Sequence, residues 1–159
     1  MAENNVYKIC CFAGHSDIQE NKTKEKIKDI SQSLILNHGV KEFWVGNYGN
    51  FDACSAAAIR ELKKIYNDIK LILVIPYLTK KITEYKEEYY KMYNGILIAD
   101  IPENTPKRFF ITKANEYMVN NSDYLICYVQ RSYGGAANTY KNAKRKNLKI
   151  INIAEEMTP

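Results

Sequence analysis

The sequence predicts a doubly wound α/β fold, a mainly parallel sheet with helices on both faces. Three observations carry that prediction. Short apolar runs recur along the chain without polar alternation, the mark of strands buried on both faces. Longer stretches between them set apolar residues at helical spacing, so strand and helix alternate. Glycine-bearing loops follow three of the runs, at Gly14, Gly46 and Gly134, on the edge where sheets of this class collect their ligands.

The elements follow in order. Residues 6–13 form a first buried strand, closed by Gly14-His15-Ser16-Asp17. Over 21–38, Ile27, Ile30 and Leu34 fall at helical spacing among lysines and acids, and Gly39 is the stop. Residues 42–45 are a second strand, ending in Gly46-Asn47-Tyr48-Gly49-Asn50. A helix over 51–66 has Asp52 near its start and small residues (Ala53, Ser55, Ala56, Ala57, Ala58) that allow close packing on a sheet. Residues 69–75 are a third strand, closed by Pro76, and 79–93 a polar helix on the outside. A fourth strand over 95–99 leads into a loop over 101–106 with two prolines. Then come a helix over 107–121, a fifth strand over 123–129, a helix over 136–146 and a last strand over 149–153. No repeat or low-complexity linker divides the chain, so residues 1–159 are expected to form one domain.

Composition narrows the function classes. Of the residues, 46% are hydrophobic and 26% charged, a globular balance. The net charge of +5 is mild, and its lysines are spread over helix faces as solvated surface is. With no recognition helix and no aromatic RNA-binding signature, nucleic acid is not the expected partner. Cys10, Cys11 and Cys127 lie in apolar runs and Cys54 among small helical residues, the places of free buried thiols. No C-x-x-C spacing occurs, so neither a metal nor a cofactor is expected. There is no signal-like segment and no run of membrane-spanning length, which points to a reducing, cytoplasmic compartment and no membrane partner.

The chemistry gathers at the three glycine loops. After the fifth strand, Tyr133-Gly134-Gly135-Ala136 opens a helix, an arrangement that presents backbone N–H groups to an anion and also serves as an ordinary turn. Asp52 has two roles open to it, capping its helix or meeting a ligand's hydroxyls. His15 is either a phosphate donor and acid or a structural donor at a turn. Arg131 and Lys141 supply positive charge to a ligand or sit solvated. Tyr48, Tyr117 and Tyr133 are candidates to stack on a base.

Taken together, Cys10-Cys-Phe-Ala-Gly-His15, Gly46-x-x-Gly49-x-Phe51-Asp52, Leu71-Ile-Leu-Val-Ile-Pro76-Tyr77, Asn115-x-Tyr117-Met118-Val119 and Gly134-Gly135-x-Ala137-Asn138-Thr139 resemble the SLOG superfamily. More narrowly, the chain looks like its small single-domain bacterial and phage members related to YpsA. The resemblance implies a Rossmann-like fold that binds a nucleotide or nucleotide-derived molecule at the glycine-rich rim. The expected ligand-binding residues are Gly14, His15, Ser16, Gly46, Asn47, Gly49, Phe51, Asp52, Asn115, Tyr133, Gly134, Gly135, Ala136, Asn138 and Thr139. It also implies a cytoplasmic protein of a bacterial cell or its phage, and a homo-oligomer.

Cytokinin-activating members of that superfamily are phosphoribohydrolases that cut an N-glycosidic bond. They carry Pro-Gly-Gly-x-Gly-Thr-x-x-Glu and an upstream arginine. Aligned on Gly134-Gly135, this chain has Ala137 at the third glycine, Asn138 at the threonine and Lys141 at the glutamate. Ala114 falls at the arginine, and Ser16 stands where closer relatives have an arginine after Gly-His. The carboxylate that would stabilise a developing cation is absent from its motif position. The leading expectation is therefore a binder that senses or sequesters a signalling nucleotide. The alternative is a phosphoribohydrolase or deoxyribosyltransferase-like enzyme using Asp52 or Glu116.

Overall fold

A computed structural model of the chain describes residues 7–15 and 18–157. Six strands form one parallel sheet: β1 (Lys8–Gly14), β2 (Val40–Val45), β3 (Lys70–Ile75), β4 (Gly95–Ile98), β5 (Tyr124–Tyr128) and β6 (Lys149–Asn152). Their order across the sheet is β4-β3-β2-β1-β5-β6. The helices are α1 (Glu20–His38), α2 (Asn50–Lys63), α3 (Lys80–Glu84), α4 (Lys86–Met92), α5 (Phe110–Asn120), α6 (Gly135–Arg145) and α7 (Ile153–Met157). This is the doubly wound, Rossmann-like architecture that the alternation of runs predicts.

Side-chain alternation along each strand divides the core in two. Cys10, Phe12, Phe43, Val45, Leu71, Leu73, Tyr124 and Ile126 face one way, against Ile27 and Leu34 of α1, Phe51, Ile59 and Leu62 of α2, and Ile82 of α3. Cys11, Ala13, Trp44, Val74, Leu125 and Cys127 face the other, against Ala114, Met118 and Val119 of α5 and Ala143 of α6. All four cysteines are free and buried.

Three elements differ from expectation. The polar stretch over 79–93 is not one helix: Tyr85 leaves helical geometry at φ −108°, ψ 34° and separates α3 from α4. Ile82 anchors the first half, whereas α4 buries no side chain, so no apolar stripe holds the two in line. The stretch over 107–121 begins with a short 3₁₀ turn at Lys107–Phe109 before α5. The last strand ends at Asn152, because Ile153 turns into α7 and buries itself against the α1/α2 side of the sheet.

The topology places a crevice. From β1 the chain steps outward through β2 and β3 to β4; α5 then carries it back across the other face to β5, on β1's free side. The loops after β1 and β5 therefore leave for opposite faces, and the gap between them lies at the carboxyl ends of the strands.

Candidate functional site

A cavity of about 200 Å³ opens in that gap, lined by the end of β1 (Phe12 to His15), Tyr48, Asp52, Ile111, Asn115, Arg131 and the first turn of α6. Beside it runs a groove of about 240 Å³ between α5 and α6, and Asn115 and Gly135 border both.

Close approach builds the floor. Gly14 lies against the ring of Phe51, and a Cβ there would sit 2.3 Å from the ring. Glycine lets the first turn of α2 press on the end of β1, which brings Asp52 to the cavity. Asp52 is at the third position of α2, beyond the cap residue Gly49, and its carboxylate accepts the Tyr48 N–H at 2.9 Å. It fastens the β2–α2 loop rather than capping the helix. Burial pushes its pKa from 3.8 up to about 6, against the lowering effect of that hydrogen bond.

His15 is buried; its ring Nε2 accepts the Gln130 N–H at 3.0 Å, and its backbone N–H donates to the Tyr128 carbonyl at 3.3 Å. The imidazole thus bolts the loop after β1 to the loop after β5, and accepting at Nε2 places the ring proton on Nδ1. Across the cavity, Gly134 adopts φ +96°, a conformation that favours glycine, and α6 starts without a side-chain cap or an acid in its first turn. Gly135 and Ala136 line the opening, at the end of α6 where the N–H groups lack intrahelical partners and the dipole is positive. Lys141 donates to the Ser132 carbonyl at 2.8 Å and holds the loop that leads in, while the Arg131 guanidinium stacks on Tyr133, 5.2 Å from its centroid.

Of the residues expected to bind a ligand, Gly14, His15, Asp52, Asn115, Gly135 and Ala136 come together around the cavity. Phe51 shapes it from below. Asn138 and Thr139 border the groove instead, with Thr139 donating to the Gly135 carbonyl at 3.0 Å. Gly46, Asn47, Gly49, Tyr133 and Gly134 belong to the framing loops and do not line the cavity. Ser16 lies outside the described residues. Glu116 borders the groove, 3.3 Å from Lys113, so among the described residues Asp52 is the carboxylate that lines the cavity. Tyr117 does not face a base: it stacks on Trp44, centroids 6.1 Å apart, on the α5 side of the core. Sequence reasoning missed Ile111 at the cavity and Thr112, Asn142 and Arg145 at the groove, although Thr112, Asn115 and Glu116 on α5 and Asn138, Asn142 and Arg145 on α6 recur at helical spacing.

A family model described as the YspA SLOG family, YpsA, matches residues 6–155. No curated protein matches the chain. Among solved structures, DNA processing protein A (DprA) from Streptococcus pneumoniae superposes with a TM-score of 0.64 at 14% identity, covering 91% of this chain and 49% of that one. The same protein from Helicobacter pylori gives a TM-score of 0.62 at 15% identity, covering 90% of this chain and 63% of that one. The chain thus spans less than two thirds of either neighbour, and the likeness is one of fold. The Helicobacter structure is described for its single-stranded DNA binding mode. That corrects the expectation about nucleic acid: a protein of this fold binds a single strand, so the lack of a recognition helix or an aromatic RNA-binding signature is no ground for setting nucleic acid aside. No helix among the described residues is long and apolar enough to cross a membrane.

Proposed function

The chain belongs to the YspA SLOG family, and from that premise we propose that the β1/β5 crevice binds a nucleotide-derived ligand, as a sensor or a sequestering protein. One observation carries the reading: loops from β1, β2 and β5 converge on a single cavity at the point where the strand order reverses. The N–H groups opening α6 suit a phosphate, with Arg131 beside them. Asp52 and Asn115 suit sugar hydroxyls, and Tyr48 offers a ring to a base.

Binding is favoured over turnover because Lys141 stands at the glutamate position of the hydrolase motif and is engaged with a backbone carbonyl. A hydrolase or transferase would rest on Asp52, whose raised pKa suits an acid. A second reading, in which the nucleotide is part of a single strand, is favoured by the Helicobacter neighbour.

The test is calorimetric titration with nucleoside 5′-monophosphates on the native chain and on Ala136→Asp, with free base assayed by chromatography. A carboxylate in the first turn of α6 suits the helix dipole, so the variant keeps its melting temperature, yet it repels a phosphate. Binding to the native chain that is lost in the variant, without free base, supports the proposal. Equal binding by both proteins refutes the phosphate placement, and base release that stops in Asp52→Asn establishes the enzyme.

A further inference from the structure

Two helices packed side by side normally meet along apolar stripes. Below the surface α5 and α6 do so, through Ala114, Met118 and Ala143. Above it their seam is polar throughout, with Thr112, Asn115 and Glu116 on one side and Asn138, Asn142 and Arg145 among those on the other. The groove follows α6 from Gly135 to Arg145, about 15 Å at a rise of ~1.5 Å per residue.

Its charges are unbalanced. Glu116 is engaged by Lys113 at 3.3 Å. Lys141 meets a carbonyl and Arg145 the Asn142 Oδ1 at 3.2 Å, so neither cation has a carboxylate partner among the described residues. Asn142 is only 9% exposed, accepts from Arg145 at Oδ1 and borders the groove.

From these features we infer that the groove holds the sugar-phosphate backbone of a short oligonucleotide, whose terminal phosphate occupies the start of α6; the inference rests on the proposed phosphate placement there. Lys141 and Arg145 lie about 9 and 15 Å along the helix from Gly135. The two phosphates of a nucleoside diphosphate share an oxygen and cannot span that distance. At ~3.4 Å per stacked nucleotide it matches about three to four steps, hence about four to five nucleotides of one strand. Asn115, Asn138 and Asn142 present donors and acceptors to riboses or base edges along the way.

Fluorescence polarisation with a 5′-phosphorylated, 3′-labelled tetranucleotide pool, competed by unlabelled 5′-mononucleotides, tests this. The tetranucleotide is expected to bind at least tenfold more tightly than any mononucleotide. Its salt dependence should be steeper by about 1.4 in log–log slope, for two more neutralised phosphates. Arg145→Gln should remove about half of that extra slope and weaken the tetranucleotide about fivefold, leaving mononucleotide affinity unchanged. Asn138→Asp, which adds an acid in a helix-compatible position, should weaken it further, with Trp44 fluorescence reporting that both variants are folded.

A tetranucleotide that binds no better than a mononucleotide overturns the groove and leaves the rim reading intact. Tetranucleotide binding that survives Ala136→Asp overturns the rim placement and the register built on it, and no binding of either probe overturns both. Chain length separates the sources: a 20-mer no tighter than the tetranucleotide marks a free short oligonucleotide, and a much tighter 20-mer marks a longer strand.

Discussion

Asp52→Asn separates two forces acting on one carboxyl. Burial disfavours its charged form and the Tyr48 N–H favours it; burial dominates and raises the pKa from 3.8 to about 6. A folded pKa above the unfolded one fixes the sign. The stability linked to the proton is fully present below about pH 4 and is lost as pH rises through about 6. Two pH units at ~1.4 kcal/mol each set a ceiling of about 3 kcal/mol, and solvent contact at the cavity mouth lowers the expected value to about 1–2 kcal/mol. Asparagine cannot ionise and keeps an oxygen for the Tyr48 N–H, so the variant escapes the loss. Urea unfolding at pH 4 and pH 7.5, followed through the single, buried Trp44, measures it. The variant should gain about 1–2 kcal/mol on the native chain at pH 7.5 relative to their difference at pH 4. Groups shared by both proteins cancel, including Glu61, which Lys24 and Lys28 hold down at about 2. A double difference of zero or below would mean that the N–H and the α2 dipole keep the carboxylate ionised, and the argument from burial would fail.

Two further outcomes follow from the packing. Gly14→Ala should cost about 1–3 kcal/mol through the clash with the Phe51 ring, a fall of roughly 2–12 °C in melting temperature, and Phe51→Leu in the same chain should recover part of it; equal cost in both backgrounds refutes the contact. Burial pushes the Cys11 and Cys127 thiols up to about 12 and Cys10 up as well, so iodoacetamide at pH 8 should leave all three unlabelled in the native protein and modify them once urea unfolds it; rapid labelling of the native chain would contradict the two-layered core.

The sheet was legible because burial on both faces leaves a mark that needs no tertiary knowledge. Residues 69–75 and Lys70–Ile75, or 149–153 and Lys149–Asn152, differ by a residue at an end. What escaped was settled by contacts between distant segments. The break at Tyr85 has no glycine or proline to announce it; it reflects the lack of a buried face in α4. The short helix α7 exists because Ile153 finds the α1/α2 layer, a meeting of residues far apart in the chain.

The site was legible in its backbone and obscure in its side chains, for the same reason. Gly14 and Gly134 announce a close approach and a left-handed turn, which the residue type alone implies. The direction of a side chain is implied by nothing local. His15 looks like a phosphate donor until Gln130, 115 residues away, occupies its Nε2. Tyr117 looks like a platform for a base until Trp44 stacks on it from β2. These two residues leave the ligand's reach to be set by groups whose polar atoms still open onto the crevice and groove: Asp52 and Asn115 at the strand ends, and Asn142 and Arg145 along α6. A ligand confined to the cavity would use only the first pair. The second pair lies about 10 and 15 Å along α6 from Gly135, beyond the cavity, and on the proposed reading favours a longer nucleotide chain.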